Sequence, residues 1–195
     1  MLLRSGDHPS VRRRPCRVLA YALMEDCHAT DASRVDTFAR ERQAMTAAST
    51  LQQAAVYRRA GVLLVRADSR TDAGVWVSDG PCRTIEPPFA PDAIFRAVDE
   101  TLGHSRSIPH PRQDEWTTVP LELYRAAGVR RWSEFVRGSV TISVCRAGLH
   151  WTFIPWRKCG ARDGFEPLTN AAIELDEPTP DAIAGAVLAA LQRAS

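Results

Sequence analysis

Lysine is nearly missing from this chain of 195 residues: of its 25 basic residues only Lys158 is one. Arginine carries almost all the positive charge, which a GC-rich coding sequence explains as well as a demand for guanidinium groups. Cysteine is sparse. Cys16, Cys27, Cys82, Cys145 and Cys159 form no C-x-x-C pair and keep no regular spacing, which excludes a disulfide framework and a structural zinc site. No apolar run approaches the roughly 20 residues needed to span a bilayer. The run at 18–24 follows basic residues as a secretory signal would, but Glu25 and Asp26 come at once and no small-x-small cleavage pattern follows. The chain reads as reduced, soluble and cytoplasmic. Also missing are G-x-S-x-G, the Walker A pattern, G-x-G-x-x-G and H-E-x-x-H, so the sequence motifs of several hydrolase, nucleotide-binding and metalloprotease families are absent.

What is present is an ordinary globular composition, 45% hydrophobic and 25% charged. The net charge of +2 is uneven. Residues 1–17 hold Arg4, Arg12, Arg13, Arg14 and Arg17 against Asp7, so the remainder is slightly acidic, which gives little support to nucleic-acid binding. Residues 1–16 read as a basic disordered tail. Further on, Arg125, Arg130, Arg131, Arg137, Arg146, Arg157, Lys158 and Arg162 precede Asp163, Glu166, Glu174, Asp176, Glu177 and Asp181.

The most informative feature is a repeat. Residues 91–102 align without a gap on residues 180–191, with seven of twelve positions identical, among them Pro91/Pro180, Asp92/Asp181, Ile94/Ile183, Val98/Val187 and Leu102/Leu191. Gly74 and Gly164 precede the two copies at nearly equal distances, and Leu63-Leu64 falls opposite Phe153-Ile154. This pattern predicts an α+β fold: a duplicated unit of antiparallel strands followed by a helix, two units packed as a pseudo-dimer. The first unit occupies 17–104, with a helical extension near 31–48, and the linker and second unit occupy 105–195.

Within the first unit, 51–57 and 62–65 read as strands, 68–74 as polar loop, 75–77 as a short strand and Asp79-Gly80 as a turn. In the second unit, Pro120 opens a helix and 132–136 forms another helical turn. Val140, Ile142 and Val144 alternate as a half-buried strand, 151–156 returns and 172–175 adds a short strand. Thr179 is placed to cap the last helix.

The histidines (His8, His28, His104, His110 and His150) fall in tails, linker or turn and read as solvated. Cys145 sits mid-strand as a small hydrophobe, while Lys158 beside Cys159 is a setting that lowers a thiol pKa. Trp151 and Trp156 fall on opposite strand faces: one is core, and Trp156, next to Arg157, is a candidate surface anchor.

The run Ile154-Pro155, a polar loop, Gly164-Phe165, Leu168, an acidic strand end and a Pro-Asp-Ala-Ile helix resembles the bacterial immunity proteins of contact-dependent growth inhibition systems. The stretch from Ala127-Gly128-Val129 through Trp132 to Phe135-Val136-Arg137-Gly138 is similar to that family too. Coverage runs from about 56 to 195. The first unit departs from the pattern, with Val65 where the family has proline and Val75 where it has phenylalanine. The resemblance implies a non-enzymatic cytoplasmic protein that binds a cognate toxin C-terminal domain, commonly a nuclease, and blocks it. It implies no cofactor, no membrane and no direct nucleic-acid partner, and its contact residues vary too much to carry over. A nuclease cleft is basic, so the acidic stretch Asp163, Glu166, Asp176 and Glu177 is the expected contact face, with Trp156 and Arg157 as the alternative. Two other classes stay open: a nucleic-acid-binding regulator using Arg12 to Arg17 and the 125–137 region, and an enzyme centred on Cys159 or His150.

Overall fold

The protein, examined as a computed structural model, is described over residues 51–111, 121–161 and 163–194. The tail at 1–16, the run at 18–24, the helix expected at 31–48, Pro120, and linker residues 112 and 113 lie outside the described residues.

One eight-stranded sheet organises the chain. Its strands are β1 (Gln52–Arg59), β2 (Val62–Thr71), β3 (Trp76–Ile85), β4 (Ser107–Ile108), β5 (Ser139–Ala147), β6 (His150–Gly160), β7 (Gly164–Pro167) and β8 (Ile173–Asp176). The described helices are α1 (Pro91–Leu102), α2 (Leu121–Ala126), α3 (Trp132–Gly138) and α4 (Pro180–Arg193). The strand order is β3-β2-β1-β5-β6-β7, with β4 on β2 and β8 on β6. Every pairing is antiparallel except β2–β4. The class is therefore mixed α+β. At the centre, β1 and β5 adjoin in a register that sets Val56 opposite Ile142.

Alternation along the strands divides the core between two faces. On one face Ala54, Val56, Leu63, Val65, Ile142, Val144, Trp151 and Phe153 meet α1 and α4. The four-residue spacing of Ile94, Val98 and Leu102, and of Ile183, Val187 and Leu191, turns each helix's buried stripe onto the sheet. Both helices open on proline, where the missing N–H leaves no broken bond. Thr179 Oγ1 accepts the Ala182 N–H at 3.3 Å, capping α4 as its position predicts.

The other face carries Ala55, Tyr57 and Leu64 under Leu123, Tyr124, Val129 and Phe135 of the α2–α3 segment. Phe135 binds the layers together: its ring lies 5.0 Å from Tyr57, edge to face, and 5.7 Å from Trp132, stacked. Arg59 clamps the same segment. Its Nε donates to the Ala127 carbonyl at 3.3 Å, and its NH1 donates to those of Glu134 and Phe135 at 3.0 Å. Gly138 leaves room for that guanidinium, since a Cβ there would fall 2.2 Å from Arg59 NH1.

Two sequence expectations fail in β2 and β3. Residues 68–71 continue β2 instead of forming a loop, because their polar groups find partners inside the sheet. Asp68 accepts from Gln53 Nε2 at 3.1 Å and from Ser78 Oγ at 2.9 Å, and Thr71 Oγ1 accepts the Val75 N–H at 3.0 Å. Asp79-Gly80 is no turn either: β3 runs through it. Pro81 falls where the β2–β3 register shifts between Arg66 and Asp68, so its missing N–H breaks no regular ladder bond.

The order of elements is alike on the two sides of the β1–β5 seam. Each side has two long antiparallel strands, a return through a positive-φ glycine (Gly74 at 78°, Gly164 at 83°) and a proline-opened helix. The returns differ. On one side β3 is a single ten-residue strand, and on the other the outer edge of β6 is shared by β7 and β8.

Candidate partner-binding surface

Strand β6 places nearly every residue singled out by sequence. Trp151 and Trp156 do point to opposite faces, one into each core. Trp156, however, is no surface anchor. It is only 8% exposed, packs with Val136 and Phe165, and donates its indole N–H to Ser143 Oγ at 2.9 Å. The expectation failed because α3 covers the face that the strand pattern alone leaves open.

Arg157, exposed, forks onto Glu166. Its Nε donates to Oε2 at 3.2 Å, and its NH2 reaches both carboxylate oxygens at 3.0 Å. The Cys159 thiol donates to the same Oε2 at 3.2 Å. That thiol bond, then Arg157, hold the Glu166 carboxyl below the usual carboxylate range. Partial desolvation, next the hydrogen bond to Glu166 and then its charge push the Cys159 thiol up, outweighing Arg157. Lys158 does not activate it, since neighbouring strand residues face opposite ways and the Lys158 ammonium sits on the Arg137 carbonyl at 3.0 Å. Asp163 is exposed in the β6–β7 turn, its carboxylate where Gly160 leaves no room for a Cβ.

Asp176 and Glu177 stand at the far end of β6. Asp176 lies directly across from His150, seven residues before Arg157, a span of about 23 Å at strand rise. The four predicted acids are thus two separated pairs. Asp176 Oδ1 meets His150 Nδ1 at 2.8 Å, and the Glu177 N–H donates to the Leu149 carbonyl at 3.0 Å. Glu177 is exposed and holds a φ of 46°, in the left-handed region that disfavours side chains.

The enzyme alternative is met most directly at His150. Its Nε2 lies 3.3 Å from Thr152 Oγ1, so hydroxyl, imidazole and carboxylate fall in line. Acyl transfer also needs free N–H donors for an oxyanion. Here β6 is paired on both edges at this level, with β5 and with β8, which engages the local backbone donors. His110, by contrast, sits against Thr71 at 3.4 Å, so the structure places these two rings in different settings. Among the described residues no three His, Cys, Asp or Glu side chains gather as a metal site, and no helix is long and apolar enough to cross a membrane. A shallow groove between β3 and α1 has Ile85, Ala93 and Ala97 on its walls and is crossed by the Arg83–Glu100 ion pair at 2.9 Å.

Sequence reading missed a buried polar network on the α2–α3 face of the sheet. Leu64, Arg66 and Asp68 alternate with Leu63, Val65 and Ala67, a signal that was available once β2 is allowed its full length. Asp68 is buried. Burial raises its carboxyl above the ordinary range, opposed by the bonds from Gln53 and Ser78 and by the charge of Arg66. Gln53 Oε1 in turn accepts the Cys145 thiol at 3.6 Å. A carboxyl raised in the folded state contributes stability that is complete below its unfolded value of 3.8 and is lost as pH rises through the folded value. Asp68→Asn should therefore flatten the stability profile on the alkaline side of 3.8, measured by urea unfolding at a series of pH values. An unchanged profile in the variant would assign the titration to another group.

No protein-family model matches this sequence, and no curated protein matches it. Solved structures do. The fold is similar to that of a protein of unknown function from Neisseria meningitidis, with a TM-score of 0.62 and 12% identity over 75% of this chain and 97% of that one. It is also similar to a chain of the CdiA-CT/CdiI toxin and immunity complex from Yersinia pseudotuberculosis. There the TM-score is 0.57 and the identity 16%, over 75% of this chain and 98% of that one. The α+β architecture described above is one that a chain of a toxin–immunity complex also adopts.

Proposed function

We propose that this protein is an immunity protein, which binds a cognate toxin C-terminal domain of a contact-dependent growth inhibition system and neutralises it in the cytoplasm. The observation that carries the reading is the shared fold with a chain of a toxin and immunity complex along nearly the whole of that chain. Residues quoted for the sequence resemblance support it by their structural roles. Phe165 packs with Trp156 and Val136, Phe135 bridges α3 to the sheet, and the Pro180 helix closes the core. In this reading the protein acts by occupying a surface and needs neither cofactor nor nucleophile. The parallel order of elements about the β1–β5 seam supports a duplicated origin, two units packed as a pseudo-dimer.

The finer part of the proposal is that the toxin is a nuclease. Its phosphate-binding cleft is then basic, and Asp176 with Glu177 form the acidic pair that meets it, since Glu166 is already neutralised by Arg157. The test is co-expression with the toxin domain encoded beside this gene, followed by purification on a tag carried by the toxin. A stable complex is expected. In that complex, Asp176→Lys with Glu177→Lys should slow association about tenfold at low ionic strength, a deficit that closes as salt rises. Failure of the two chains to co-purify overturns the immunity reading. A normal association rate in the double variant overturns only the assignment of the face.

A further inference from the structure

The opposite end of β6 from Asp176 and Glu177 holds Asp163 and the Arg157–Glu166 pair and, on the side covered by α3, a group of basic residues. Arg130, Arg131 and Arg137 are exposed on and beside α3, and among the described residues none of the three makes an ion pair. Lys158 joins them, because its ammonium donates to the Arg137 carbonyl at the C-terminal end of α3. Trp132, next to Arg131 in the first turn of α3, is partly exposed at the edge of this group. It stacks on Phe135 with ring centres 5.7 Å apart and meets Phe165 edge-on at 6.3 Å. Phe165 is the cross-strand partner of Lys158, which makes the cluster contiguous across α3, β6 and β7. Glu134 is the acid within the cluster, and its carboxylate accepts the Arg130 backbone N–H.

From this juxtaposition we infer that Trp132, Arg131, Arg137 and Lys158 form a docking surface for an acidic peptide segment of a protein partner, with an apolar side chain seated against the indole. The chemistry argues for that occupant. A tryptophan already fixed on two aromatic neighbours presents its remaining surface at little cost in conformational freedom, and arginines around it match carboxylates with forked hydrogen bonds. Both charged ends flank the same face of the sheet: His150 and Trp156 share a strand face, Asp176 pairs with the first, and α3 covers the second. A partner bound along β6 would meet an acidic pair at one end of the strand and a basic group at the other, an arrangement that fixes its orientation. The inference goes beyond the proposed function and rests on it only in taking the partner to be a protein.

The test uses the full chain and a fluorescein-labelled 15-residue peptide of alternating glutamate and phenylalanine, with a DNA duplex of equal charge as the rival ligand. Fluorescence anisotropy at low salt should show peptide binding that weakens about tenfold or more in Arg131→Glu with Arg137→Glu, both on exposed side chains, and severalfold in Trp132→Ala. Asp176→Lys with Glu177→Lys should not weaken it. Equal peptide binding by the wild type and the Arg131/Arg137 variant overturns the inference, as does absence of peptide binding. Tighter binding of the duplex through these same arginines overturns it in favour of nucleic acid. None of these outcomes depends on capturing a toxin, so the immunity reading stands or falls separately.

Discussion

Phe135→Ala is expected to lower the unfolding free energy by about 3–5 kcal/mol, the scale of deleting a large buried aromatic. Phe135 is completely buried, and its ring meets Tyr57 on the sheet, Tyr124 of α2 and Trp132 of its own helix. Removing it opens a cavity where the α2–α3 segment meets the sheet. Helices of six and seven residues are far too short to persist without that packing. The loss is measured by urea unfolding, with the midpoint falling. Binding of the acidic peptide should fall with it under conditions where the sheet stays folded, because Trp132 and Arg137 lose their support. A loss below about 1 kcal/mol, the scale of surface changes, would show that α3 does not depend on this contact.

Arg66→Met is expected to act in the opposite direction and raise stability by about 1–3 kcal/mol, because it removes a buried guanidinium whose Nε and NH1 are left unsatisfied among the described residues. Arg66 is 7% exposed, and among the described residues its Nε and NH1 have no hydrogen-bond partner while its NH2 reaches the Ser78 carbonyl at 3.4 Å. Asp68, two residues away on the same strand face, acts on it through space and makes no ion pair with it. A methionine fills much of the same volume without a desolvated charge. The gain should appear as a rise in Tm of roughly 2–4 °C per kcal/mol for a chain of this size. The same variant removes the positive charge that opposes the raised pKa of Asp68, so the pH at which stability declines should move up. A destabilised Arg66→Met protein would show that the guanidinium is solvated or paired in solution.

How far the sequence discloses this molecule depends on the range of the interaction that decides each feature. Local signals were sufficient for α1 and α4. Pro91 and Pro180, the four-residue spacing behind them and Thr179 predict α1 and α4 almost to the residue, since caps and periodicity act within one or two turns. The strand Val140, Ile142 and Val144 was legible for the same reason. The long strands were not. Asp68, Ser69 and Thr71 look like loop residues until Gln53 and Ser78, from strands on either side, supply partners. Asp79-Gly80 looks like a turn until β3 is seen to run through it as one strand beside β2. The candidate site falls with the long strands. The pairing of Arg157 with Glu166, which removes two expected contact residues from free solution charge, depends on β6 and β7 lying in register. The burial of Trp156 depends on α3 folding over it, and the distance between Asp163 and Asp176 depends on β7 and β8 sharing one edge of β6 at different heights.

The central claim is that this protein acts by occupying a partner and not by turnover. It is tested most directly by titrating a fixed amount of the toxin domain encoded beside the gene with the full chain and following toxin activity. Stoichiometric occupation predicts a linear fall that reaches zero at one equivalent, with the masses of both chains unchanged. Complete loss of toxin activity at a small fraction of an equivalent, increasing with time, would show catalytic inactivation and contradict the account.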